Sequence, residues 1–228
     1  MTVLPGDPPV PITLRRSARA RRFSLRVSRL DGRVTLSLPS WAREADALAF
    51  ARDRENWIRT ALEQMPQGRP VEIGARLPVE GREVVLAPGR GRAPRLAGVL
   101  LEVPGDPERA GARVAGFLKT LARDRLSRAC DRHAAALGRG YSRLVLRDTR
   151  SRWGSCTVEG KLMFSWRLVM APPEVLDYVA AHEVAHLVEM NHSPAFWAVV
   201  ARLFPDHAAQ RAWLRHRGHE LHAIRFGD

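Results

Sequence analysis

Two histidines four residues apart with a glutamate beside the first, His182-Glu183-Val184-Ala185-His186, form the pattern H-E-x-x-H. On a helix this spacing is just over one turn, so both imidazoles leave the same face and can converge on one divalent ion. Glu183 then sits where its carboxylate reaches a water activated by that ion, as a general base requires. His192 follows ten residues after His182, the third-ligand spacing of H-E-x-x-H-x-x-G-x-x-H zinc proteases. Three imidazoles leave a fourth, open position on a tetrahedral zinc, which is the arrangement of a catalytic rather than a structural site.

One position departs from that longer pattern. Glu189 stands where a glycine ordinarily permits the chain to reverse, so Asn191 is expected to supply a left-handed conformation, and Glu189 itself is an alternative third ligand. A single helical histidine is more often hydrogen-bonded packing than a ligand. Three at ligand spacing around a glutamate argue for metal.

These residues need a helix, a turn and a second helix. Pro172-Pro173-Glu174 opens the first, because proline suits the first turn and a carboxylate complements the helix dipole. Ser193-Pro194 reads as cap and first turn of the next. Upstream, Leu144–Leu146 and Leu162–Trp166 read as strands, and residues 162 to 167 are either an exposed strand able to hold an extended peptide or an interior one. A helix from Val114 to Leu137 is closed by Gly138 and Gly140.

The N-terminal half is β-rich. Strands are expected around Ile12–Leu14, Phe23–Val27 and Val34–Leu38, the last two as a hairpin turning at Leu30-Asp31-Gly32-Arg33, with others at Val71–Ile73, Val84–Leu86 and Val99–Val103. Between Trp41 and Met65 the apolar spacing, Trp57 included, fits one amphipathic helix ended by Pro66, Gly68 and Pro70. No internal repeat is visible. Pro104, Gly105 and Pro107 mark a boundary, giving a β-rich region over 1–104 and a catalytic region over 105–228, an α+β architecture.

Composition narrows the setting. The two cysteines, Cys130 and Cys156, are too few for a disulfide framework, and Cys156 reads as a buried thiol rather than a nucleophile. The N-terminus lacks the basic flank and apolar run of a signal peptide, and no stretch is apolar enough to span a membrane, so a cytoplasmic protein is expected. The net charge of +13 is almost entirely arginine, with Lys119 and Lys161 the only lysines. It suits nucleic acid, phosphorylated ligands or an acidic partner, or else reflects a compositional bias of the source genome. Arg15, Arg16, Arg19, Arg21 and Arg22 form either a phosphate-binding surface or a solvated basic face. Near the C-terminus, His216, His219 and His222 read as a solvated helix end, from which His219 or Arg215 can reach the site as an oxyanion donor. Arg152 and Trp153 line the cleft or pack in the core.

Three segments together resemble one family: Arg150-Ser151-Arg152-Trp153-Gly154-Ser155-Cys156, then Asp177-Tyr178-Val179-Ala180-Ala181-His182-Glu183-Val184-Ala185-His186-Leu187, then Asn191-His192-Ser193-Pro194-Ala195-Phe196-Trp197. They are similar to the YgjP-like metal-dependent hydrolases, relatives of the SprT and WLM zinc metallopeptidases, and Arg19–Val27 shares the likeness. The resemblance implies a zincin-type catalytic domain with a small sheet packed on the metal-binding helix. It implies zinc on His182, His186 and His192, Glu183 as general base, and a strand after Trp153 bordering the cleft. A metallopeptidase acting on protein or peptide is therefore expected. The competing functions are a phosphate-ester or nucleotide hydrolase using the same site, and a nucleic-acid- or protein-binding module with structural zinc.

Overall fold

The computed structural model describes residues 2–28, 32–64 and 68–227, and the chain forms two compact units, Met1–Gln67 and Gly68–Asp228. In the first, β1 (Thr2–Leu4), β2 (Val10–Ser17), β3 (Ser24–Val27) and β4 (Val34–Pro39) form a sheet of order β1-β2-β4-β3. The central β2–β4 pair is parallel and the outer pairs are antiparallel. The expected hairpin is therefore present as β3 and β4, although Leu30 and Asp31 of its turn lie outside the described residues. Alternation sends Ile12, Leu36 and Leu38 to one face, where they share a core with Ala47, Ala51 and Ile58.

The long helix expected over Trp41–Met65 is two helices, α1 (Glu44–Arg52) and α2 (Glu55–Glu63). The five residues from Arg52 to Asn56 carry no apolar side chain, and Arg54 leaves helical geometry with its guanidinium over the Phe50 ring. Breaking there lets Ala47 and Ala51 of α1 and Ile58 of α2 all reach the same core. Trp57, expected on the apolar face, is half exposed. Met65 and Pro66 lie outside the described residues.

The second unit opens with β5 (Arg69–Pro70), so the strand expected at Val71–Ile73 stops short and Val71 instead packs in the core. β6 (Arg76–Val79), β7 (Arg82–Gly89), β8 (Arg95–Ala97) and β9 (Leu100–Pro104) follow, in the order β6-β7-β9-β8 with a parallel centre and antiparallel flanks. This repeats the topology of the first sheet, a repetition carried by strand order with little sequence likeness beyond Gly32 and Gly98, which share a positive φ ahead of their last strands. The apolar face of this sheet, including Leu86, Leu101 and Val103, shares one core with Val114, Leu118 and Leu126 of α3 (Ala110–Leu137). The division after Gln67 thus falls well before the proline-rich break near residue 104, which is a turn inside the second unit. Left-handed Gly138 closes α3, with the N–H groups of Gly138 and Arg139 donating to Ala135 and Ala134.

β10 (Arg143–Arg147), β11 (Gly154–Cys156) and β12 (Lys161–Ser165) make a three-stranded sheet of order β10-β12-β11. After a short 3-10 turn come α4 (Pro173–Ala185), α5 (Pro194–Leu203), α6 (His207–His222) and β13 (Ile224–Arg225), which pairs with β5. α4 is buried on nearly every side, as an all-round apolar helix must be, and shares the core with Leu162 and Phe164 of β12. Among the described residues no helix is long and apolar enough to cross a membrane.

α3 and α4 are joined through Asp177, whose carboxylate accepts from His133 Nε2 at 2.7 Å and from Arg132 at 3.0 Å. Burial raises this carboxyl, but the His133 hydrogen bond and charge with Arg132 outweigh it and hold it below its usual range. A carboxyl lowered on folding contributes stability above its unfolded value, near 3.9, that is lost as pH falls through the lower folded one. Urea titrations of Asp177→Asn are expected to show a loss of roughly 1–3 kcal/mol at pH 7, typical of a hydrogen bond to a charged group. That deficit should shrink between about pH 5 and pH 2; a deficit that persisted there would remove the ionic explanation.

Candidate metal centre

Pro173 occupies the first turn of α4 with Glu174 beside it, and the helix runs on until His182 lies in its last turn and His186 caps it. The chain then reverses without glycine. Successive N–H groups of Leu187, Val188 and Glu189 fold back on Val184 and Ala185, and Ser193 N–H closes a tight turn on Asn191 O at 2.7 Å. Asn191 is not left-handed; among the described residues only Glu80, outside glycine, has a positive φ. Ser193 then caps α5 by accepting from Phe196 N–H.

His182, His186 and His192 converge, their candidate ligand atoms all within 4.8 Å of one another. His186 Nδ1 lies 2.9 Å from Glu189 O. A carbonyl only accepts, so Nδ1 carries the proton and the Nε2 lone pair is left for a ligand. Glu189 therefore serves the site through its backbone, and its carboxylate is not part of the cluster. His182 Nε2 and His192 Nε2 lie 3.1 Å apart, close to the ~3.3 Å edge of a tetrahedron with metal–nitrogen bonds of about 2.0–2.1 Å. Phe196 stacks on His186 at 4.4 Å and meets both other rings edge-on, fixing their planes.

Electrostatics keep the imidazoles neutral, as ligation demands. Burial, reinforced by His186 and His192, pushes His182 down to about 3, and burial also lowers His186. Glu183 is only 5% exposed, and burial pushes its carboxyl up to about 8 against the opposing charge of Arg152. The side chain lies against β11: a Cβ placed on Gly154 would stand 2.6 Å from both Glu183 Cγ and Oε1. The Trp153-Gly154-Ser155-Cys156 segment is thus a strand beside the candidate base.

Other expected roles change. β12 is the central strand of its sheet, so residues 162 to 167 are interior, and β11 is the edge next to Glu183. Trp153 is a packing residue: its ring lies 4.9 Å from His222 and fills the space against Gly218. His222 is consequently not a solvated helix end, and burial pushes it down to about 4. Cys156 is a half-buried free thiol pushed up to about 11 by burial and by Glu183, which fits an unreactive group.

On α6, Arg211 and His207 face the centre, where His219 or Arg215 were expected. Arg211 lies over the Trp197 ring at 4.9 Å, His207 stacks on the same ring at 5.6 Å, and both lower His182. Their four-residue spacing was the available signal, but nothing local tied it to Trp197. Tyr178, one turn before His182 on α4, meets that ring edge-on at 6.0 Å.

A structural likeness exists to the metallopeptidase zymogen of Pyrococcus abyssi abylysin, 20% identical, over 40% of this chain and 95% of that one with a TM-score of 0.36. No curated protein matches. The family model described as YgjP-like, metallopeptidase domain, matches residues 21–217, a span running from before β3, through Gly154 and the three histidines, to the end of α6. The chain is therefore a metal-dependent hydrolase of the peptidase type and belongs to the YgjP-like metallopeptidase-domain family.

Proposed function

We propose that the protein is a zinc peptidase in which His182, His186 and His192 hold the ion and Glu183 moves the protons of peptide hydrolysis. The observation that carries this is the convergence of three neutral imidazoles, with one Nε2 fixed as a lone-pair donor, beside a buried carboxylate. The donor set is the one zinc favours: three nitrogens at tetrahedral spacing with one side open. Zinc held there would polarise a scissile carbonyl and acidify a water.

The chain's own residues do the rest. Glu183 takes a proton at its carboxylate oxygen and passes it to the leaving amine, and burial suits it to both steps by raising its proton affinity toward neutral pH. The free edge of β11 offers backbone groups to an extended peptide, which would place a substrate bond next to Glu183. An unfolded protein segment or flexible peptide fits such an edge, because a folded substrate's strands are already paired.

Purified protein is expected to hold near-stoichiometric zinc and to cleave a denatured, fluorescently labelled protein. Chelation should abolish cleavage, and added zinc should restore it. Undiminished hydrolysis by metal-free protein would sink the proposal, as would zinc that binds in full without any cleavage of denatured protein or peptide.

A further inference from the structure

We infer that the open face of the N-terminal sheet binds the phosphodiester backbone of nucleic acid, without reading its bases. The helices α1 and α2 share a core with one face of that sheet. On the other face the strand registers set two rows across the central strand: Thr13–Thr35–Arg26, and Arg15–Ser37–Ser24. Each row thus holds one guanidinium and two hydroxyls, and neither contains an acid or an apolar side chain.

Strand spacing and rise put the Cα atoms of Arg15 and Arg26 roughly 12 Å apart on the diagonal, room for two separate phosphates. Arg19, Arg21 and Arg22 extend the cationic surface along the connection from the end of β2 to the start of β3. From Val10 to Arg33 the chain has eight arginines against one acid, Asp31.

Two observations separate this face from a general excess of arginine. Elsewhere arginines are commonly paired: Arg43 with Asp46 and Arg59 with Glu55 in this unit, Arg76 with Glu83, Arg95 with Glu102 and Arg167 with Asp148 in the other. Arg15, Arg19, Arg21, Arg22 and Arg26 are exposed, and among the described residues none of them forms an ion pair. A compositional bias would not segregate unpaired cations onto one sheet face and the connection beside it.

The ligand chemistry follows from the donors. Phosphate oxygens accept from guanidinium and hydroxyl groups together and recur along a chain, matching the alternating rows. Neither row carries an aromatic ring on which an unpaired base could stack, so a duplex, which presents its backbone outward, is the form favoured.

Fluorescence anisotropy with a labelled mixed-sequence 24-base-pair DNA and the full chain tests this across a salt series. Nonspecific affinity in the micromolar range, roughly 10⁻⁴ to 10⁻⁶ M near physiological salt, is expected for the wild type. Arg15→Ala/Arg26→Ala should flatten the slope of log affinity against log salt by about 1.8, equivalent to as much as sixty-fold weaker binding near 0.1 M salt. Arg15→Lys/Arg26→Lys should keep most of the slope. Arg76→Ala/Arg95→Ala, which removes equal charge from the other unit, should leave it unchanged, with melting curves showing that every variant is folded.

Equal losses from the two alanine pairs would overturn the inference in favour of net charge alone. An unchanged slope in Arg15→Ala/Arg26→Ala would overturn it outright. So would a labelled polyglutamate peptide that binds the wild type more tightly than the duplex, since the face would then fit an acidic polypeptide.

Discussion

Glu183→Gln is expected to lower kcat on a labelled peptide by about 10²–10⁴-fold while leaving zinc content unchanged. The amide matches the carboxylate in shape, so it fits the same pocket, 5% exposed and pressed against β11. It can neither take a proton at an oxygen nor release one to a leaving amine. Because the converging nitrogens belong to His182, His186 and His192, the substitution removes no proposed ligand. Bound zinc measured by elemental analysis therefore separates loss of the base from loss of the site. Retention of more than a tenth of wild-type activity would assign the proton transfers elsewhere, and Tyr178 and His207 would be the first groups to test.

The chemistry of the site was legible in the sequence because its parts are local. The spacing of His182, Glu183 and His186 specifies a helical face, Pro173 specifies where that helix begins, and Ser193-Pro194 specifies where the next begins. What escaped depends on contacts distant in sequence. Nothing around His207 and Arg211 states that they meet Trp197, because that contact is set by how α6 packs against α4 and α5. The reversal before His192 was assigned to Asn191 by residue type, whereas the fold makes it with backbone hydrogen bonds that include the carbonyl orienting His186.

The fold follows the same division. α3, with its regular apolar positions and terminal glycine, was readable end to end, since periodicity and capping are local properties. The boundary near residue 104 was not, because proline and glycine mark turns inside a unit as strongly as turns between units. Only the shared core of β6–β9 with α3 shows that these strands belong with the catalytic helices. The interior position of β12 was equally hidden: its neighbours β10 and β11 lie on opposite sides of it, and strand order is not encoded in any one strand.

Gly154→Ala is the sharper test of how the sheet positions the base. In most strands an added methyl costs little, and here it would stand 2.6 Å from Glu183 Cγ and 2.8 Å from Cδ, nearer than side-chain carbons approach. One partner must yield. β11 is held by its ladder to β12, where Gly154 faces Phe164, a ring with no exposure, so the strand has little freedom. Displacement of the carboxylate arm is the easier response, and misplacing a catalytic group by about 1 Å costs on the order of 10²-fold in rate. Zinc content should be preserved, and stability should fall by about 1–3 kcal/mol, the usual penalty for overpacking. Ser155→Ala, one residue on and facing the other side of the strand, should keep most activity. A Gly154→Ala protein with wild-type kcat would show that Glu183 is free to move without penalty, and the edge of β11 would then have no part in aligning it.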